Sequence, residues 1–323
     1  MARRVDVHVH WLPPPYVEAL EGRSEPPRLN RRGGDLFLDL GGAGEFPLHP
    51  GMTDLSDHEE GMASAGIDQE ILSITPPAVD GMEPAEAVAV AGASNDALAD
   101  LSKREDGRFR GLAILPAVDP ERAADELRRA VSLGLRGGVL MTNVRGARLD
   151  EDRFRPIFES AAELDVPIVL HPTPPAQPEP FVGYALMTIV GFIAETTVCT
   201  LRLVLSGLFE RHRDFKLLVP HVGAAIPYLF GRIAYEVQRY HVDSALSAPV
   251  EEYLRQLYLD SVSVFPQAMK LALEMVGPNR LLLATDEPFW ERERGVAALE
   301  QAGLDADTLE RVSSGNAERL FGA

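Results

Sequence analysis

Five residues stand out for the chemistry they could perform together. His8 and His10 lie in the alternating run Val5-Asp6-Val7-His8-Val9-His10. On a strand, residues two apart point to the same face, so both imidazoles can serve one position. His171 ends Pro167-Ile168-Val169-Leu170-His171, His221 ends the run from Lys216, and Asp286 follows Arg280–Thr285. Imidazole nitrogens joined by a carboxylate oxygen suit zinc or a similar divalent ion. The plain alternative for His-x-His alone is two histidines satisfied inside a strand. Three further candidates at the ends of other strands favour the metal. Cys199 is the only cysteine, so an intrachain disulfide and a thiolate metal cluster are both excluded.

The elements that would carry these residues are short, apolar and regularly spaced. Eight strands are expected: Val5–His10, Gln69–Ile74, Phe109–Leu115, Leu135–Met141, Pro167–His171, Lys216–His221, Leu257–Val262 and Arg280–Thr285. Most are continuously apolar, as strands buried on both faces must be. Helical segments are expected at Pro84–Lys103, Pro120–Leu133, Phe154–Leu164, Ile226–Tyr240, Pro249–Gln256, Pro266–Val276 and Leu304–Arg311. Asp119 and Pro120 mark a helix start and Gly134 its stop. Alternation of this kind predicts an α/β fold, a (β/α)8 TIM barrel, with a doubly wound open sheet as the alternative. Residues 1–323 read as one domain. Two stretches, about 13–58 and 172–190, read as insertion loops over the C-terminal mouth, where barrel enzymes keep their active sites.

Composition excludes some partners. The 323 residues carry 31 Lys and Arg against 49 Asp and Glu, a formal charge of −18, which argues against a nucleic-acid binder. No signal-peptide core follows Met-Ala-Arg-Arg, and apolar stretches such as Tyr184–Ile193 fall short of a membrane span. A cytoplasmic protein with no membrane partner is therefore expected. Trp11 and Phe289 could line an aromatic or conjugated substrate, with core packing as the default. Asn143 could hydrogen-bond substrate or only shape a turn. Arg28, Arg31 and Arg32 could anchor a carboxylate by bidentate bonds, or be solvated loop arginines. His49 and His58 could lie at the pocket rim, with the surface as the default, and Glu291-Arg292-Glu293-Arg294 is expected as a solvated helix face.

Several longer motifs carry a resemblance. Val-Asp-Val-His-Val-His, Val-Leu-His-Pro at 169–172, Leu-Val-Pro-His-Val-Gly-Ala-Ala-Ile-Pro-Tyr-Leu-Phe-Gly-Arg-Ile at 218–233 and Ala-Thr-Asp-Glu-Pro-Phe at 284–289 resemble the amidohydrolase superfamily. Ala-Gly-Ile-Asp-Gln-Glu-Ile-Leu-Ser at 65–73 and Glu-Thr-Thr at 195–197 make the chain similar to the aminocarboxymuconate-semialdehyde decarboxylase branch. The resemblance implies that His8, His10, His171 and Asp286 ligate one divalent metal, zinc before manganese. It implies His221 and Asp286 as catalytic residues. Arg232 would bind a substrate carboxylate, in some members across a homodimer interface; the plain alternative is a helix-face salt bridge. Binuclear members carry a lysine at the end of strand four, where this chain reads Gly-Gly-Val-Leu-Met-Thr-Asn. Two departures, His-Val-Gly-Ala and Glu287, would change the pocket wall rather than the ligands.

The implied reaction is metal-dependent, non-oxidative decarboxylation of a small unsaturated or aromatic carboxylic acid, in a homodimer or larger homo-oligomer. The alternative is a hydrolase of an amide, lactone or ester, or a hydratase, using the same single metal and its water. A non-enzymatic binding protein with a closed structural metal is the third reading, and it leaves His221 without a role.

Overall fold

In the computed structural model of the chain, residues 3–41, 45–104, 107–242 and 244–322 are described. Eight positions in the chain carry parallel strands: Val5–His10, Gln69–Ser73, Phe109–Gly111 continued by Ala113–Ile114, Gly138–Met141, Ile168–His171, Leu217–Val219, Tyr258–Asp260 and Leu281–Leu282. Each pairs in parallel with its predecessor. The third strand is interrupted at Leu112, yet the ladder continues through it. Leu112 N donates to Leu72 O at 3.0 Å, and Ala113 N donates to Gly137 O at 2.8 Å. The last strand returns to the first: Val7 N donates to Leu283 O at 3.0 Å and Asp286 N to His8 O at 2.7 Å. The result is a closed barrel, and closure is what brings the ends of strands one and eight side by side.

Inward-pointing side chains of such a barrel stack in layers that fill its interior. Nearly every strand residue is buried. Amphipathic helices cover the outside, including Pro84–Ser102, Pro120–Leu133, Arg155–Glu163, Ile226–Arg239 and Pro266–Val276. Asp119 Oδ1 accepts from Arg122 N, and Gly134 leaves the Pro120–Leu133 helix with φ 109°, a conformation glycine adopts without Cβ strain.

The first of the two expected loops has its own structure. Helix Pro14–Glu21 leads to an antiparallel meander of Arg28–Arg32, Asp35–Asp39 and Glu45–Pro47, then helix Leu55–Ala65; residues 42–44 of this stretch lie outside the described ones. Gly33 and Gly34, at φ 59° and 106°, turn the first hairpin, a two-residue signal present in the sequence. In the second stretch, the chain forms one continuous helix from Met187 to Leu205, which is long and apolar enough to cross a membrane by length and composition. This corrects the expectation from Tyr184–Ile193 alone, because Glu195 and Arg202 hide the continuation of the apolar run. Thr196, Cys199, Thr200 and Leu203 bury one side of that helix in the protein.

Candidate metal centre

His8, His10, His171 and Asp286 converge at the mouth of the barrel. One ligand atom from each lies within 4.8 Å of the others, and all four residues are buried. His10 Nε2 is 2.9 Å from Asp286 Oδ1. His8 Nε2 is 3.3 Å from the same oxygen, and His171 Nε2 is 3.4 Å from His10 Nε2.

The outer nitrogens settle what these inner atoms present. His8 Nδ1 lies 2.7 Å from Asp260 Oδ2, and His171 Nδ1 lies 2.9 Å from Pro172 O. A carboxylate and a carbonyl can only accept, so both Nδ1 atoms carry the proton. Ser73 Oγ donates to Val9 O at 3.2 Å and therefore accepts from His10 Nδ1, also at 3.2 Å. In the neutral rings, three Nε2 lone pairs then face one another and a carboxylate oxygen. That arrangement is repulsive unless a cation sits among them, and His8 Nε2 is a buried atom with no hydrogen-bond partner among the described residues. The donor set fits one divalent ion. Strand four, Gly138–Met141, brings no lysine to the site, so nothing there bridges a second ion.

The electrostatics agree. Burial pulls His8 down, but Asp286 and Asp260 outweigh it and hold the ring up at about 9. Burial lowers His10 to about 4, and burial, with the adjoining His10 and His8 rings adding to it, holds His171 well below the usual range. Burial would raise Asp286, yet His8, His10 and His221 keep it well below the ordinary carboxylate range. Asp286 and His8 are thus held toward their charged forms, while His10 and His171 are held as neutral imidazoles.

The second oxygen of Asp286 faces His221, with Nε2 to Oδ2 at 3.4 Å. Strand six ends at Val219, so His221 lies in a tight turn beyond it. His221 has φ 56° and ψ 55°, Val222 φ 51° and ψ 32°, and Asp286 φ 64°. A β-branched residue such as Val222 is rarely left-handed, and each such conformation costs on the order of 1–3 kcal/mol. Asp286 is held from behind by strand one: Thr285 N and Oγ1 donate to Asp6 Oδ1 and Oδ2 at 3.1 and 2.5 Å.

The remaining sequence candidates divide. Phe289 packs its ring 5.5 Å from the His10 ring, at the rim of the cage. Trp11 is buried, with its Nε1 unpartnered among the described residues. Asn143 Nδ2 donates to Glu195 Oε1 at 2.8 Å and its Oδ1 accepts from Gly146 N, so it does shape a turn. Arg232 is not buried with the histidines; its side chain is 74% exposed, 3.9 Å from Glu236.

Arg28, Arg31 and Arg32 are part-exposed and pair with Asp39, Glu21 and Glu45, as the solvated alternative has it. Two expectations are corrected. His58 is buried rather than at the surface, with Nδ1 2.6 Å from Glu70 Oε2. Arg292 is buried too, donating from Nε to Glu70 Oε1 at 2.9 Å. Glu70, fully buried on strand two, demands a cationic partner, and only the closed barrel shows where it comes from. Asp260 was missed altogether. Its signal was a carboxylate inside the apolar run Leu257-Tyr258-Leu259-Asp260-Ser261-Val262, where charge is costly unless bonded.

The sequence profile of the family described as Amidohydrolase matches residues 5–323. Gamma-resorcylate decarboxylase of Rhodococcus jostii (strain RHA1) is 31% identical over 281 residues, 80% of this chain and 85% of that protein. The 2-amino-3-carboxymuconate-6-semialdehyde decarboxylase of Dictyostelium discoideum is 30% identical over 263 residues, 79% of this chain and 73% of that protein. The crystal structure of dihydroxybenzoic acid decarboxylase from Polaromonas sp. JS666, with bound manganese and the inhibitor 2-nitroresorcinol, matches at TM-score 0.82 and 26% identity over 100% of this chain and 97% of that one. The chain belongs to the amidohydrolase family. Within that family it falls in the decarboxylase branch, with a site for one divalent metal.

Proposed function

We propose that the protein catalyses the non-oxidative decarboxylation of a small aromatic carboxylic acid at the His8, His10, His171 and Asp286 site. The observation that carries this reading is the single-ion cage whose carboxylate turns its free oxygen to His221. A divalent ion held by the four ligands supplies Lewis acidity, drawing charge from the carbon that loses its carboxylate. The chain's own residues do the rest. Phe289 offers an aromatic face beside His10 for an aromatic ring. When the carbon–carboxylate bond breaks and carbon dioxide departs, the electron pair stays on the ring carbon and must take a proton. His221 Nε2, oriented by Asp286 Oδ2, is the group placed to hold and deliver it. We take zinc as the ion on its donor set, three imidazoles and a carboxylate, with manganese as the other ion to test.

A homodimer or larger homo-oligomer is part of this reading. Tyr228 and Tyr235 on helix Ile226–Arg239 are exposed, as are Ile189, Val190 and Val198 on the Met187–Leu205 helix. Apolar and aromatic side chains so placed suit a second copy, and Arg232 lies on the same helix, free to reach a carboxylate in the partner's site. A cytoplasmic setting and one domain over residues 1–323 complete the proposal; the buried, unpaired Cys199 is consistent with a reducing compartment.

Hydroxylated benzoic acids, gamma-resorcylate first, labelled with 13C in the carboxyl group, should release labelled carbon dioxide from the zinc- or manganese-loaded protein. In D2O the product should gain one deuterium at the vacated carbon. Cleavage of C–N or C–O bonds in amides, lactones or esters, with no carbon dioxide from any acid tested, would replace the decarboxylase reading by the hydrolase one. His221→Ala should lower kcat at least 100-fold while metal content stays near one ion per chain, as loss of a general acid predicts (roughly 10²–10⁴-fold).

A further inference from the structure

Strand seven ends in a carboxylate to which the expected chemistry gives no task. Asp260 is fully buried on Tyr258–Asp260. Its Oδ2 accepts from the metal ligand His8 at 2.7 Å. Its Oδ1 accepts from Val222 N at 3.3 Å and from Val262 N at 3.1 Å. Val222 is the residue after His221 and shares its left-handed turn. The same turn presses on strand seven at Gly223, where a Cβ would meet Leu259 Cδ2 at 2.9 Å. One side chain thus touches both halves of the site: the tautomer of a ligand through one oxygen, and the backbone that presents His221 through the other.

We infer that Asp260 is a positioning residue that holds the metal ligand His8 and the His221 turn in register with each other. This rests on the roles given above to His8 and His221. The physical reason is that neither is stable alone. His8 presents an Nε2 lone pair only while Nδ1 keeps its proton, and an acceptor at Nδ1 enforces that. A left-handed Val222 persists only where surrounding bonds over-determine it, and its amide has Asp260 Oδ1 for a partner. A carboxylate satisfies both because it is acceptor on both oxygens; an amide cannot.

That difference makes the two functions separable. In Asp260→Asn, the two backbone N–H groups of Val222 and Val262 select the amide oxygen, which leaves the NH2 facing His8 Nδ1. His8 must then move its proton to Nε2, the atom aimed into the cage. Asp260→Ala removes both contacts. Full-length protein stripped with chelator would be titrated calorimetrically with Mn2+ alone, and kcat read separately at saturating Mn2+. Asp260→Asn should bind Mn2+ about 10–100-fold more weakly than wild type, the usual range for loss of a ligand's outer partner. At saturating metal it should recover most of its kcat, whereas Asp260→Ala should bind weakly and stay low in kcat even when loaded. Wild-type Mn2+ affinity in Asp260→Asn would overturn the His8 half, and full kcat in loaded Asp260→Ala would overturn the His221 half. If Asp260→Ala fails to fold, Asp260→Ser decides the second half by the same kcat reading, since a serine hydroxyl can reach Val262 N but not both Val222 and His8. Failure of wild type itself to bind Mn2+ would instead sink the metal site.

Discussion

Asp80 shows how far one side chain can depart from solution behaviour here. It follows strand two, lies buried, and its Oδ1 has no partner among the described residues. Burial pushes its carboxyl up to about 7, with Arg145 only partly opposing. The folded state therefore keeps a proton that the unfolded chain releases near pH 4. The sign follows: Asp80 costs nothing below about pH 4, and stability is lost as pH rises through about 7. Asp80→Asn should remove that slope. Against wild type, the variant should gain about 3 kcal/mol between pH 4.5 and 8, read by urea unfolding. Identical pH slopes in the two proteins would mean that Asp80 is ionised and solvated after all. The same scale contains the most legible part of the site. His8, His10, His171 and Asp286 were readable because strand ends and a period of two are local properties. Asp260 was not, since its partner His8 lies 252 positions away.

At the scale of elements, the charge network around Arg292 ties three of them together. Arg292 opens the helix Arg292–Gln301, bonds to Glu70 on strand two, and lies 3.4 Å from Glu287, the residue after the ligand Asp286. Helix Leu55–Ala65 makes room for it: a Cβ at Gly61 would stand 2.3 Å from Arg292 Nη1. Arg292→Met should destabilise the fold by roughly 3–5 kcal/mol, because it strands the buried Glu70 carboxylate without its cation. Chemical denaturation measures this, and a loss below about 1 kcal/mol would show that His58 alone neutralises Glu70. The sequence read this segment as a solvated face because its signs alternate. Whether a helix charge meets water or a strand carboxylate depends on which strand the helix covers, and alternation of sign says nothing about that. The meander at Arg28–Pro47 had a turn signal in Gly33-Gly34, but the polar flanks Asn30-Arg31-Arg32 and Asp35 hide the strands on either side.

At the scale of the whole molecule, the exposed apolar residues on successive outer helices are the least explained by a lone chain. Tyr228 is 82% exposed and Ile189 63%. Replacing both by glutamate should convert an oligomer into monomers in sedimentation velocity, with little change in melting temperature. It should also reduce decarboxylation if Arg232 acts in a partner's site. A wild-type protein that sediments as a monomer at micromolar concentration would remove the oligomer and with it that role for Arg232.

The sequence by itself determined the order of strands and helices and the placing of His8, His10, His171, His221 and Asp286 at strand ends, because periodicity, capping and residue type act over a few positions. The division of those residues into metal ligands and a catalytic histidine, and the weight of the missing strand-four lysine, came from the family resemblance, and closure of the barrel from the bonds between its first and last strands. Tertiary structure alone decided which nitrogen of each histidine faces inward, which oxygen of Asp286 meets His221, that His221 stands in a left-handed turn, and that Arg28, Arg31 and Arg32 are spent on neighbouring carboxylates. Those outcomes depend on pairing buried charges and lone pairs across strands far apart in the chain. A group's protonation and direction are set by what it touches, and the closed barrel is what brings the touching groups together.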